Sequence, residues 1–262
     1  MPYSFITFEI EDRVGLIRLN RPNDGNALIP EMARELLDAA IRCDEDPALR
    51  AVVLTGNGKM FCAGGDLKAF AAQGEKVSHY IRDMTQAFHA TICRFNWMDP
   101  PVVGAINGIA AGGGFSLALA TDIAIAAESA KFTMAYTKAG LTPDGSSSYF
   151  LGRTVGLRRA KEMALLNPIL SARQAMEWGL VNQVVADDQV LTIALETAHQ
   201  LAKGPTRSFG ETKRLILSGA TESLESQMEK ESGAIASMAG SADGREGIAA
   251  FIAKRAPEFH GE

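Results

Sequence analysis

Phe61-Cys62-Ala63-Gly64-Gly65-Asp66-Leu67 and, further along, Asn107-Gly108 running on to Ala111-Gly112-Gly113-Gly114-Phe115 are the stretches that decide how this chain is read. The first follows a short apolar run at 51–55 and the second a run at 101–106, and each opens a helix. Helix starts carry backbone N–H groups with no partner inside the helix, and the helix dipole makes them attract negative charge. Two such ends aimed at one point form an oxyanion hole from backbone alone. One carboxylate, Asp144, follows in the turn Leu141-Thr142-Pro143-Asp144-Gly145-Ser146. Fixed donors for a developing oxyanion, with a carboxylate to move a proton, point to carbanion chemistry on a carbonyl compound.

Working outward, residues 5–10 and 14–19 read as a hairpin joined at Glu11-Asp12-Arg13. Arg21-Pro22-Asn23-Asp24-Gly25-Asn26 is a loop, and Pro30 sits where the first turn of a helix tolerates it. Met32, Leu36, Leu37, Ala40 and Ile41 mark the buried face of that helix. A long helix is expected over 77–95, and a further apolar strand over 122–126. Continuous apolar strands separated by helices indicate an α/β sheet covered by helices. Ser171-Ala172-Arg173-Gln174 has the form of a capping box, with Gly179 closing its helix. A last short strand at 181–185 precedes an all-helical remainder broken at Gly204-Pro205.

The bulk numbers exclude several functions. With 262 residues, 47% hydrophobic and 22% charged, the chain suits one large globular unit. A formal net charge of −5 leaves no basic footprint for nucleic acid. Cys43, Cys62 and Cys93 are odd in number and widely spaced, so neither a disulfide framework nor a metal site follows, and a reducing cytoplasm is expected. His79, His89, His199 and His260 have no ligand spacing. No apolar run has membrane-spanning length, and no signal pattern opens the chain.

These residues, in this order, resemble the crotonase superfamily of enoyl-CoA hydratases and isomerases over nearly the whole length. The resemblance runs through Leu19-Asn20-Arg21-Pro22 with Asn26-Ala27-Leu28, Ala51-Val52-Val53-Leu54-Thr55-Gly56, the two glycine turns, Ala175-Met176-Glu177-Trp178-Gly179-Leu180-Val181 and Ala250-Phe251-Ile252-Ala253-Lys254-Arg255. It implies a crotonase-like spiral of ββα turns with a helical C-terminal part. Residues 1–200 would form the core and 201–262 a helical oligomerisation region, giving a homotrimer or a dimer of trimers. It also implies an acyl-CoA thioester as substrate, with no metal and no cofactor.

Carried over by residue, the resemblance makes the N–H groups of Gly65 and Gly113 the oxyanion-hole donors. Ala63, Gly65, Asp66, Leu67 and Lys68 would line the CoA site, and Phe251 and Lys254 would reach CoA from the last helix, often across a subunit boundary. The hydratases of this family use two glutamates. One falls two residues after the third glycine, where this chain has Ser116. The other follows the Lys131-Phe132 strand, where this chain has Tyr136. With both glutamates absent, Asp144 remains. Its setting resembles isomerase members, among them the ring-epoxide phenylacetyl-CoA isomerase and the Δ3-Δ2-enoyl-CoA isomerase, where a carboxylate at this place shuttles a proton.

Plainer readings stand beside these. Pro143-Asp144-Gly145 is also an ordinary turn sequence. Asp66 also reads as a helix cap, Lys68 as a solvated helix residue and Tyr136 as a pocket wall whose phenol can bond substrate. The expected activity is an acyl-CoA isomerase that shifts a double bond or opens a strained ring, with Asp144 as the base. The alternatives are a hydratase or hydrolase of the same family and an acyl-CoA-binding homologue without chemistry.

Overall fold

The N-terminal hairpin pairs β1 (Ile6–Glu11) with β2 (Val14–Leu19), in register from Ile6 opposite Leu19 to Glu11 opposite Val14. Asp12 and Arg13 both take positive φ (46° and 69°), the tight turn that matches the twist of paired strands. The computed structural model describes residues 3–262.

After α1 (Pro30–Glu45), the chain repeats one pattern three times. β3 (Ala51–Gly56) is followed by β4 (Met60–Cys62), then α2 (Leu67–Ala72) and the long α3 (Val77–Trp97). β5 (Val102–Ile106) is followed by β6 (Ile109–Ala111) and α4 (Gly113–Leu119). β7 (Ile123–Ala127) is followed by β8 (Lys131–Thr133) and α5 (Ser147–Leu166), which breaks at Gly156. β3, β5 and β7 are parallel neighbours in one sheet, and β4, β6 and β8 are parallel neighbours in a second. Each turn of the chain thus adds one strand to each sheet and a helix outside, which is a spiral of ββα turns.

The remaining strands complete the edges. β9 (Leu170–Ser171) pairs antiparallel with β8, and β10 (Gln183–Val185) adds to β7. The short α6 (Ala172–Glu177) lies between them and carries the full capping box: Gln174 N–H bonds to Ser171 Oγ while Gln174 bonds back to the Ser171 backbone. The larger sheet runs β1-β2-β3-β5-β7-β10 and the smaller β4-β6-β8-β9.

Every residue of β3 and β5 is buried, as continuous apolar strands require when helices cover both faces. α7 (Val190–Ala202) lies across β2, β3, β5 and β7 with Val190, Ala194, Ala198 and Ala202 inward. α1 packs on α3, and Met32, Leu36, Phe88 and Phe95 on these two helices are all fully buried. Leu37 and Ile41, expected on the inner face of α1, are half-buried.

The chain ends in α8 (Thr206–Ser218), α9 (Leu224–Gly240) and α10 (Ala242–Ala253). α8 is tied to the core by Lys213, whose Nζ lies 2.8 Å from both the Phe95 carbonyl and Asp122 Oδ2. Large apolar residues of the last helix face outward: Ile248 is 53% exposed, Phe251 86% and Ile252 76%. The last residues fold back onto α10, where the Asp243 carboxylate accepts the N–H groups of His260 and Gly261 at 2.7 Å each.

Candidate active site

Both glycine turns lie where a small-sheet strand hands over to a helix, and they touch. Gly64 (φ 93°) and Gly112 (φ 52°, ψ −125°) hold backbone conformations that side chains resist. A Cβ at Gly64 would stand 3.1 Å from the Gly113 nitrogen. Gly114 has a different reason to be glycine: a Cβ there would lie 2.1 Å from the Cys62 carbonyl oxygen. The triple glycine therefore serves close packing as well as the helix start.

Gly65 is bracketed by two bonds from the opposite loop. Leu28 N–H donates to the Gly64 carbonyl at 2.7 Å, and Asp66 N–H donates to the Leu28 carbonyl at 3.0 Å. This parallel bridge uses the groups on either side of Gly65 and leaves its own N–H out. Gly113 is the first residue of α4, so its N–H has no acceptor within the helix. Among the described residues, neither N–H donates to a protein acceptor, and both glycines line one cavity.

That cavity has a volume of about 210 Å³. Phe70, Ile81, Met84 and Leu141 make it largely apolar, and Ala63, Leu67, Tyr136 and Asp144 also line it. Asp144 is its only carboxylate among the described residues.

Asp144 is held by the residues at both places where the sequence lacks a glutamate. The Tyr136 hydroxyl donates to Asp144 Oδ1 at 2.6 Å. The Ser116 hydroxyl, fully buried, donates to the Asp144 main-chain carbonyl at 2.8 Å and lies 2.9 Å from the Tyr136 oxygen. Ser147 Oγ donates to the same carbonyl at 2.9 Å. Burial, and next the Asp144 charge, push the Tyr136 phenol well above the ordinary tyrosine range, so it remains a donor. The turn itself is strained: Ser146 sits at φ 71°, a left-handed conformation that costs a non-glycine residue energy and clusters at functional sites.

Sequence reading missed His89. Its Nε2 lies 3.2 Å from Asp144 Oδ2 and accepts the Gly145 N–H at 3.1 Å. The available signal was its position on α3, one turn after the cavity residue Thr85.

The other expected site residues divide. Ala63 and Leu67 line the cavity beside the glycines. Asp66 does not; its Oδ1 caps α2 by accepting Lys68 N–H at 3.1 Å and Ala69 N–H at 3.0 Å, and its Oδ2 pairs with Arg21 at 3.0 Å. Burial acts to raise its carboxyl pKa, but the Ala69 N–H and Arg21 together outweigh it and hold the group below the ordinary aspartate value. Lys68, Phe251 and Lys254 are exposed and lie outside the cavity lining of this single chain. Cys62 donates to the Asn26 carbonyl at 3.1 Å, and burial pushes its thiol up to about 12, which suits packing and not nucleophilic work.

The fold is thus a ββα spiral in which two glycine turns line one cavity. The model of the enoyl-CoA hydratase/isomerase family matches residues 9–262. The 1,2-epoxyphenylacetyl-CoA isomerase of Escherichia coli is 39% identical over 98% of this chain and 99% of that protein. A probable enoyl-CoA hydratase of Rhodobacter capsulatus is 38% identical over the full length of both. The crystal structure of an enoyl-CoA hydratase/isomerase from Mycobacterium abscessus, 37% identical, superimposes with a TM-score of 0.92 over 98% of this chain and 100% of that one. The chain belongs to the enoyl-CoA hydratase/isomerase family and has the crotonase fold.

Proposed function

We propose that this protein is an acyl-CoA isomerase. The observation that carries the reading is a single carboxylate, Asp144, in the cavity lined by Gly65 and Gly113, with Tyr136 bonded to that carboxylate and Ser116 to the Asp144 main-chain carbonyl, the two places where hydratase glutamates are lacking. The thioester oxygen accepts from the two N–H groups. Asp144 Oδ2 takes a proton from carbon, negative charge moves to the thioester oxygen, and fixed donors stabilise it there most strongly. Asp144 then returns a proton at another carbon, which shifts a double bond or opens a strained ring. Adding water needs a group to position it and a second to protonate carbon, and the cavity supplies one carboxylate for both tasks.

A hydratase is the second reading, favoured by the hydratase name of a relative at nearly the same identity. In either case the exposed Ile248, Phe251 and Ile252 of α10 suit burial in a homotrimer or a dimer of trimers, where Phe251 and Lys254 would reach the CoA of a neighbouring subunit. Incubation with 3-enoyl-CoA and 2-enoyl-CoA in heavy water separates the readings. A shifted alkene carrying solvent hydrogen supports the isomerase. Formation of 3-hydroxyacyl-CoA alone supports the hydratase, and no product from either substrate leaves a binding protein.

A further inference from the structure

His89 stands beside Asp144 but is not part of the cavity wall, and its side chain is 49% exposed. Its Nε2 faces two groups at once, the Gly145 N–H at 3.1 Å and Asp144 Oδ2 at 3.2 Å. A ring nitrogen carries either a proton or a lone pair. With a lone pair, Nε2 accepts from Gly145, and its contact with Oδ2 is favourable when Oδ2 carries a proton. With a proton, Nε2 donates to the ionised Oδ2 and releases the Gly145 N–H. The two arrangements differ by one proton moved across a single short contact.

The other carboxylate oxygen is already engaged. Oδ1 accepts the Tyr136 hydroxyl at 2.6 Å, which directs an incoming proton to Oδ2, the oxygen that faces His89. An ionised carboxylate oxygen has more than one lone pair, so Oδ2 can meet a substrate C–H and the imidazole together.

We propose that His89 is the proton outlet of Asp144, joining the part-buried carboxylate to bulk water; this rests on the isomerase reading above. The C–H bond breaks and its proton goes to Oδ2, while the electron pair goes into the enolate. The Oδ2 proton passes to Nε2, giving an imidazolium and restoring the carboxylate. The half-exposed imidazolium exchanges its proton with water, and a solvent proton returns to Oδ2 by the reverse path. His89 acts through Asp144, as a positioning and relay residue that does not touch substrate. It sets how often the hydrogen returned to the product is the one that was removed.

The test uses 3-enoyl-CoA deuterated at C2, turned over in ordinary water, with deuterium in the product read by mass spectrometry. The readout is label per product molecule, so a change in rate alone does not move it. Wild-type product is expected to have lost most of the transferred label. His89→Gln keeps an acceptor for the Gly145 N–H but cannot relay a proton, and label retention is expected to rise severalfold. Retention equal to wild type in a folded, active His89→Gln protein overturns the proposal. If that variant has too little turnover to read, His89→Ala with imidazole added to the buffer decides. Label loss that grows with imidazole concentration supports the outlet, and label retention indifferent to imidazole overturns it. Failure of the underlying reading looks different: wild-type protein then forms no isomerised product at all.

Discussion

Gly113 offers the cleanest separation of a backbone donor from its surroundings. It is the first residue of α4, the one helical position where proline is well tolerated, because the missing N–H has no helical partner there. Its φ is not in the left-handed range, so a side chain meets no backbone penalty. A Cβ at this position lies 2.9 Å from Leu28 Cδ1, the end of a side chain that lines the cavity, and the next atom is 3.7 Å away on Phe88. Gly113→Ala therefore introduces the steric change and keeps the N–H. Gly113→Pro adds the same Cβ and replaces the N–H by a ring Cδ, which removes the donor. Losing one oxyanion-hole donor costs about 2.7–4 kcal/mol, or roughly 10²–10³-fold in kcat. The ratio of kcat between the alanine and proline variants should fall in that range with 3-enoyl-CoA as substrate. Circular dichroism and the melting temperature establish that both variants are folded. A folded proline variant within a few-fold of the alanine variant would refute the role given to this N–H.

Further expectations follow from the groups around Asp144. Tyr136→Phe removes a hydrogen bond to a charged group, worth about 1.5–3 kcal/mol, and kcat should fall by about 10- to 150-fold. Ser116→Ala removes a neutral bond worth about 1 kcal/mol to a carbonyl that Ser147 still holds, so its kcat should fall by about 5-fold or less. The Tyr136 phenol titrates above its unfolded value of about 10, so its stabilising contribution is complete below that pH and is lost as pH rises through the folded value. The difference in melting temperature between wild type and Tyr136→Phe should therefore narrow above about pH 10. Gly145→Ala forces a Cβ to 2.5 Å from the Phe88 ring at φ 59°. A left-handed alanine costs about 1–2 kcal/mol and overpacking about 1–3 kcal/mol, so thermal unfolding should begin several degrees lower.

The larger sheet and the helices around it were legible because their residues repeat with a clear period. β3, β5 and β7 are continuous apolar runs, α3 and α7 show helical spacing, and the capping box at Ser171 names its own helix start. The smaller sheet was not legible. β4, β6, β8 and β9 have two or three residues each, too few to show any period, and they exist because the spiral brings them together. The glycine turns and Asp144 could be picked out because glycine and an acidic turn leave a mark in one dimension. Of the groups that position Asp144, Ser116 and Tyr136 were placed near the site only by the family resemblance, and His89 was not placed at all. Ser116, Tyr136 and His89 come from three separate elements, and only their contacts with Asp144 distinguish them from ordinary helix and wall residues. Asp66 was legible as a helix cap, and its carboxylate makes that cap together with an ion pair to Arg21.

The central claim is that Asp144 moves the proton, and replacing it by asparagine tests that claim most directly. Asp144→Asn keeps the shape of the side chain and an oxygen that can accept the Tyr136 hydroxyl, but it cannot take up a proton at that site. Isomerase kcat with 3-enoyl-CoA should fall by about 10²-fold or more, the low end of general acid–base effects, while affinity for a nonreactive acyl-CoA analogue by isothermal titration stays within a few-fold. A folded Asp144→Asn protein with near wild-type isomerase turnover would contradict the account and leave Asp144 as a turn residue only.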